Sequence, residues 1–189
     1  VAYPQDRRFS KSVFVVAPGL TVKSRLQVLQ PAGPGNYYDE FNIVPPGLHD
    51  KLRQGKVLIR NWHALMSQDP DAGPKVMKKG PESDEAFTRR VLKEMASAQN
   101  MIVINDEAHH AWRLPPKSTI KGVSKDDIEE ATQWIGGLDR IHKTRGILSC
   151  FDMSATPFAP TGRVSGEETL FGWIVSDFGL NDAIESGLV

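Results

Sequence analysis

The chain has 189 residues, 23 Lys and Arg against 23 Asp and Glu, and 40% hydrophobic residues. That length fits one domain or most of one, and the composition is that of a folded globular chain rather than a disordered or fibrous one. Its net charge of zero excludes a strongly basic tail, so any nucleic-acid role has to be carried by motifs.

The chain opens on Val1 with neither an initiator Met nor an apolar leader and closes on Leu188-Val189 without a polar tail, which is what a fragment of a longer protein looks like. Ser12 to Ala17 is a short apolar, β-branched run stopped by Pro18-Gly19, the pattern of a buried parallel strand feeding a loop. Thr21 to Leu29 has Val22, Leu26 and Leu29 at helical spacing, with Thr21 placed as its cap. Pro31 to Asn36 is a turn-rich break, and Lys56 to Asn61 is a second strand. Residues 66–85, rich in Pro and Gly, read as a surface loop or insertion.

From Ser83, the apolar residues Phe87, Val91, Met95 and Ala98 recur as in an amphipathic helix of ~4 turns. Met101 to Asp106 is a third buried strand ending on an acidic residue, followed by a Pro/Lys-rich loop from Pro115 to Lys121. Ser124, with Asp127 three residues on, predicts a capped helix carrying Ile128, Ala131, Ile135, Leu138 and Ile141 on one face. Gly136-Gly137 weakens that helix by about 1 kcal/mol per Gly. Ile147 to Met153 is a fourth strand, whose apolar neighbours place Cys150 in the interior. As the single cysteine, Cys150 cannot form an internal disulfide, so the chain reads as reduced, intracellular and cytoplasmic. Trp173 to Ser176 reads as a fifth strand and Asn181 as the cap of a last helix from Asp182 to Ser186. No apolar run approaches the ~20 residues that cross a bilayer, so no membrane partner is expected. Strands apolar on both faces and alternating with helices predict an α/β fold with a parallel sheet covered on both sides.

Ligands of such sheets bind at the carboxyl ends of the strands. Three polar segments fall there: Pro18-Gly19-Leu20-Thr21, Asp106-Glu107-Ala108-His109-His110, and Ser154-Ala155-Thr156-Pro157. In this order, the acidic segment and the Ser-Ala-Thr segment resemble the first RecA-like domain of superfamily 2 helicases and translocases, with their DEAH-type box. The His-His pair followed by Ala111-Trp112-Arg113, the Val16 to Val22 segment and the stretch from Trp173 to Val189 are similar to the motor subunit of type III restriction enzymes.

The resemblance implies a RecA-like, three-layer parallel sheet of P-loop NTPase type, and an ATP-hydrolysing motor that moves on double-stranded DNA with ATP and Mg²⁺ as cofactors. It assigns Mg²⁺ to Asp106 through a coordinated water, because Mg²⁺ keeps much of its hydration shell, and the attacking water to Glu107. His109, Ser154 and Thr156 would couple hydrolysis to movement. Pro18, Gly19 and Thr21 would contact the nucleic-acid backbone, where N–H groups and hydroxyls meet phosphates without reading bases; Arg60 and Asn61 occupy a second such segment. A methyltransferase or specificity subunit and an endonuclease activity belong to the restriction systems that the match implies.

The departure is the phosphate loop. No Gly-rich stretch ends in Gly-Lys-Ser/Thr, and Gly55-Lys56-Val57 runs into a strand instead of a helix. In the family this loop precedes the segment matching Val13 to Leu20, so the resemblance implies a first RecA-like domain incomplete at its N-terminus. The second RecA-like domain with its arginine finger is also outside these residues. Turnover by the 189 residues alone is therefore expected to be negligible, and the sheet edge left open is expected to aggregate. Two other readings stay open: a metal-dependent hydrolase using Asp106, Glu107, His109 and His110, and a catalytically silent interaction module of the same fold. Adjacent helical His residues diverge by about 100°, and no His-Glu-x-x-His spacing is present, which weighs against the first of these.

Overall fold

The computed structural model describes residues 3, 6, 8–66, 81–113, 123–160 and 168–188. The loop expected over Pro115–Lys121 and most of the one expected over 66–85 lie outside them. In chain order the elements are strand β1 (Ser12–Ala17), helices α1 (Leu20–Arg25), α2 (Tyr37–Glu40) and α3 (His49–Leu52), strand β2 (Lys56–Asn61), helix α4 (Asp84–Leu92), strand β3 (Met101–Asp106), helix α5 (Lys125–Arg145), strand β4 (Ile147–Met153), the short strands β5 (Phe158–Pro160) and β6 (Glu168–Leu170), and helix α6 (Leu180–Glu185). The fold is α/β. Its sheet has four strands, all parallel, in the order β2-β1-β3-β4.

The chain leaves β1 toward one side, forms β2, then crosses back over β1 to β3. Right-handed crossovers in opposite directions put their connections on opposite faces. Register shows what each face carries: Phe14, Leu58 and Val103 align on one, Val15, Ile59, Ile104 and Phe151 on the other. The first face packs against α4 and α5 in one continuous core with Phe87, Val91, Leu92, Trp134, Leu138 and Ile141. The second is buried at Val15 and Ile59, half-buried at Ile102 and Ile104, and bare along β4.

Helix α5 begins where Ser124 Oγ accepts the Asp127 N–H (3.1 Å), as the sequence predicts. Its buried face includes Ala131, Leu138 and Ile141, together with Trp134, the largest fully buried side chain described. Helix α4 is capped by Ser83 Oγ on the Ala86 N–H (3.2 Å). It is shorter than its apolar spacing predicts, because Lys93 takes a positive φ of 44° and the chain tightens into a 3₁₀ turn over Lys93–Met95. The two helices are laced together: Asp84 pairs with Arg140 and Lys143, Glu85 with Arg145, Thr88 Oγ1 with Thr144 Oγ1 (2.7 Å), and the Arg140 guanidinium lies 4.0 Å over the Phe87 ring.

Four expectations are corrected. Thr21 does not cap the first helix: it lies inside α1, whose N-cap is Gly19, and Leu26–Leu29 is 3₁₀. The sheet is not covered on both sides, since Leu148, Phe151 and Met153 of β4 are 40%, 50% and 59% exposed and Cys150 is exposed too. Trp173 to Ser176 is not a strand; the strands added after β4 are the antiparallel pair β5-β6. The last helix starts at Leu180 rather than after Asn181, with the Gly179 N–H donating to Asp182 Oδ2 (2.7 Å). The apolar residues of these last two segments, Trp173, Ile174, Val175, Leu180 and Ile184, are exposed, so burial does not enforce the pattern read from them.

Candidate functional site at the carboxyl edge of the sheet

Because all four long strands run parallel, their carboxyl ends share one edge, and the strand order reverses direction between β1 and β3. Ligands of open α/β sheets bind outside this reversal. The segments after β1, β2, β3 and β4 that the sequence singles out all emerge there.

At the end of β3, Asp106 is half-buried and Glu107 adopts the left-handed region (φ 52°, ψ 48°), a conformation that costs a non-glycine residue about 1–2 kcal/mol. The kink throws the chain out of the strand into a 3₁₀ turn over Ala108–His110 and brings His109 back toward Glu107, with His109 Nδ1 3.4 Å from Glu107 Oε2. The same nitrogen is hydrogen-bonded to Ser154 Oγ at 2.9 Å, across 45 residues. Ser154 Oγ also accepts the Thr156 N–H at 3.0 Å, so the turn after β4 is folded around the hydroxyl that meets His109. Burial pushes the Asp106 carboxyl up, and the Glu107 charge adds to the rise. No ion pair to Asp106 is present among the described residues. Carboxylate oxygens such as those of Asp106 are the hard donors that an ion such as Mg²⁺ takes.

Asn105, one residue before Asp106, points to the opposite face and is buried with its amide satisfied. Its Oδ1 accepts Trp134 Nε1–H (3.0 Å) and its Nδ2 donates to Asp152 Oδ1 (2.8 Å) and to Cys150 Sγ (3.3 Å). It fixes α5 and β4 to β3 directly beneath the acidic turn. Sequence reading passed over Asn105 and Trp134; the one available signal was a lone amide inside an apolar strand, which demands a partner. The Cys150 thiol is pushed up to about 12 by desolvation around the sulfur and by the Asp152 carboxylate, so its reactive thiolate form is scarce near neutral pH even though the residue is exposed.

At the β1-β2 half of the edge, the Asn61 amide donates to the Pro18 carbonyl (2.9 Å), and Asn61 Oδ1 accepts the His63 N–H (2.9 Å). The structure thus brings Pro18 and Asn61 together, but it spends the Asn61 side chain on joining two loops. Pro18 and Gly19 are half-buried and Thr21 is exposed. A Cβ on Gly19 would meet nothing within 4 Å, so no steric reason requires glycine there. Arg60 shares its face of the sheet with Val16 and Asn105 by register, and its buried Nε has no hydrogen-bond partner. It is half-buried, not presented on an open surface.

Among the described residues no group of three or more His, Cys, Asp or Glu side chains is arranged to hold a metal ion. Likewise, no described helix is long and apolar enough to cross a membrane. Comparison with protein-family models, with curated proteins and with solved structures finds no match.

Proposed function

We propose that this sheet belongs to a RecA-like, ATP-hydrolysing motor of the superfamily 2 type, related to the DNA translocase subunit of type III restriction enzymes. The observation that carries the reading is the His109–Ser154 hydrogen bond. A coupling motor needs the group that activates water to communicate with a second strand end, and here an acidic turn and a Ser-Ala-Thr turn are joined through one imidazole.

In this reading Glu107 orients and deprotonates the attacking water, because it leaves the strand on a strained kink that presents its carboxylate at the edge. Asp106, half-buried and without an ion pair among the described residues, is the residue that would hold Mg²⁺, which when bound would offset charge on the phosphates. His109 touches both Glu107 and Ser154, so a change in charge at Glu107 is felt in the turn that contains Thr156. Pro18, Gly19, Thr21 and the Arg60-Asn61 segment supply the track-facing half of the edge, with duplex DNA as the track. The phosphate cradle is absent from these 189 residues, so the reading requires it from elsewhere in the parent protein.

The test is DNA-stimulated ATP turnover by the protein carrying a complete nucleotide cleft, compared with Glu107→Gln. Loss of turnover by 10²-fold or more, with ATP still retained, is expected from removal of a general base; turnover at the parent rate would take Glu107 out of this role.

A further inference from the structure

Glu130 of α5 was not singled out by any motif, yet it is the carboxylate that lies beside His110 of the acidic turn. Its side chain is 18% exposed, and Oε2 lies 3.9 Å from His110 Nδ1. The charged and titratable groups that face it are His110 and His109 from the turn after β3, His63 from the turn after β2, and Asp127 one turn earlier on its own helix. His110 in turn packs against His109, ring centroids 4.3 Å apart with an interplanar angle of 39°. The contacts form a line: Glu130 to His110, His110 to His109, and His109 Nδ1 to Ser154 Oγ at 2.9 Å.

The His109 side chain is 29% exposed, and its contacts with Ser154 and Glu107 are both made through Nδ1, which leaves the face of the ring to be held by a neighbour. Its sequence neighbour provides the wall, and a wall is effective only if it is itself fixed. Glu130 is anchored on the longest described helix, whose Trp134 is buried one turn further on and bonded to Asn105 beneath the same turn.

We propose that Glu130 is a positioning residue: by holding His110 it fixes the His109 ring in the orientation that meets Ser154. This rests on the reading of His109–Ser154 as the coupling contact. Glu130 touches neither nucleotide nor water in this scheme and acts only through the two imidazoles.

The test uses ring-nitrogen NMR of the 189-residue chain without nucleotide. Ser154→Ala removes the partner of His109 and defines where its Nδ1 resonance lies once the contact is lost. In Glu130→Gln the His109 resonance is expected to move at least half-way to that position, and in Glu130→Asp, which keeps the charge but shortens the reach, part of the way. Glu129→Gln, on the exposed side of the same helix, serves as the control that leaves it in place. A His109 resonance unmoved in folded Glu130→Gln, with the near-ultraviolet dichroism of the aromatic side chains retained, overturns the proposal. If Glu130→Gln does not fold, Glu130→Asp decides, and no displacement there overturns it equally. Because the readout needs no ATP, failure of the Glu107→Gln turnover test would remove the motor reading while leaving this positioning role standing, and the reverse holds as well.

Discussion

The two halves of the sheet are written in nearly the same alphabet and end in different surroundings. Phe14 to Ala17 and Leu58-Ile59 are sealed between the first crossover on one side and α4 with α5 on the other. Ile147 to Met153 is also rich in apolar residues, yet within the described sheet β4 has a strand on one side only, and its Leu148, Phe151 and Met153 are exposed. The difference lies in what packs against each strand. A hydrophobic run states that burial would be favourable and is silent on whether a partner surface exists to provide it.

The largest effect that sharpens this comparison is expected from paired truncations. Trp134→Ala removes a fully buried indole and leaves Asn105 Oδ1 without its donor, so a loss of about 3–5 kcal/mol is expected. Phe151→Ala, at 50% exposure on the bare strand, should stay within about 0.5 kcal/mol of the parent. Urea denaturation of the two variants reads both values, and equal losses would abolish the distinction between the halves.

A finer contrast sits inside α5. A Cβ on Gly137 would lie 2.7 Å from Leu65 Cβ, whereas one on Gly136 meets nothing within 4 Å. Gly137→Ala should therefore cost about 1–3 kcal/mol through overpacking. Gly136→Ala should instead stabilise by about 0.5–1 kcal/mol, because alanine loses less backbone freedom in a helix. Thermal melts of the two variants moving in the same direction would contradict the close approach of α5 to the turn after β2. The sequence shows two adjacent glycines of equal helical cost; only packing makes one necessary and the other a weakness.

The smallest effect concerns the surface lacing of α4 to α5. Hydrogen bonds from Arg145, then from Arg89, hold the Glu85 carboxyl at about 2 instead of its ordinary 4.5. A carboxyl depressed by folding adds stability that is present above its unfolded pKa and lost as pH falls through the folded one. The window is therefore from about 4.5 down to about 2. Glu85→Gln should flatten the decline of stability with acid across that window and leave the neutral-pH slope unchanged. A pH series of denaturation midpoints with parallel curves for both proteins would show that this pair contributes nothing to the linkage.

Much of the candidate site was legible because its residues sit at strand ends, and strand ends are visible as apolar runs that stop. Asp106, Glu107, His109, Ser154 and Thr156 were named from such positions, and the fold brings them onto one edge with His109 on Ser154. Asn61 was legible as a residue at the edge but not in its use, since a bond from its amide to Pro18 joins positions 43 residues apart. Asn105, Trp134 and Glu130 were not legible at all, because each matters through a partner 20 or more residues away.

By itself the sequence determined the four parallel strands, the cap at Ser124 and the polar segments at the strand ends. These depend on local pattern: runs of β-branched residues, a hydroxyl followed three residues later by a free N–H, and chain stops at Pro, Gly or Asp. The tertiary structure alone decided which apolar strand is buried, which glycine is required, where α4 stops and which carboxylate meets the histidines. Those outcomes depend on surfaces and charges brought together from distant parts of the chain, and a linear pattern records the demand for a partner without saying where the partner is.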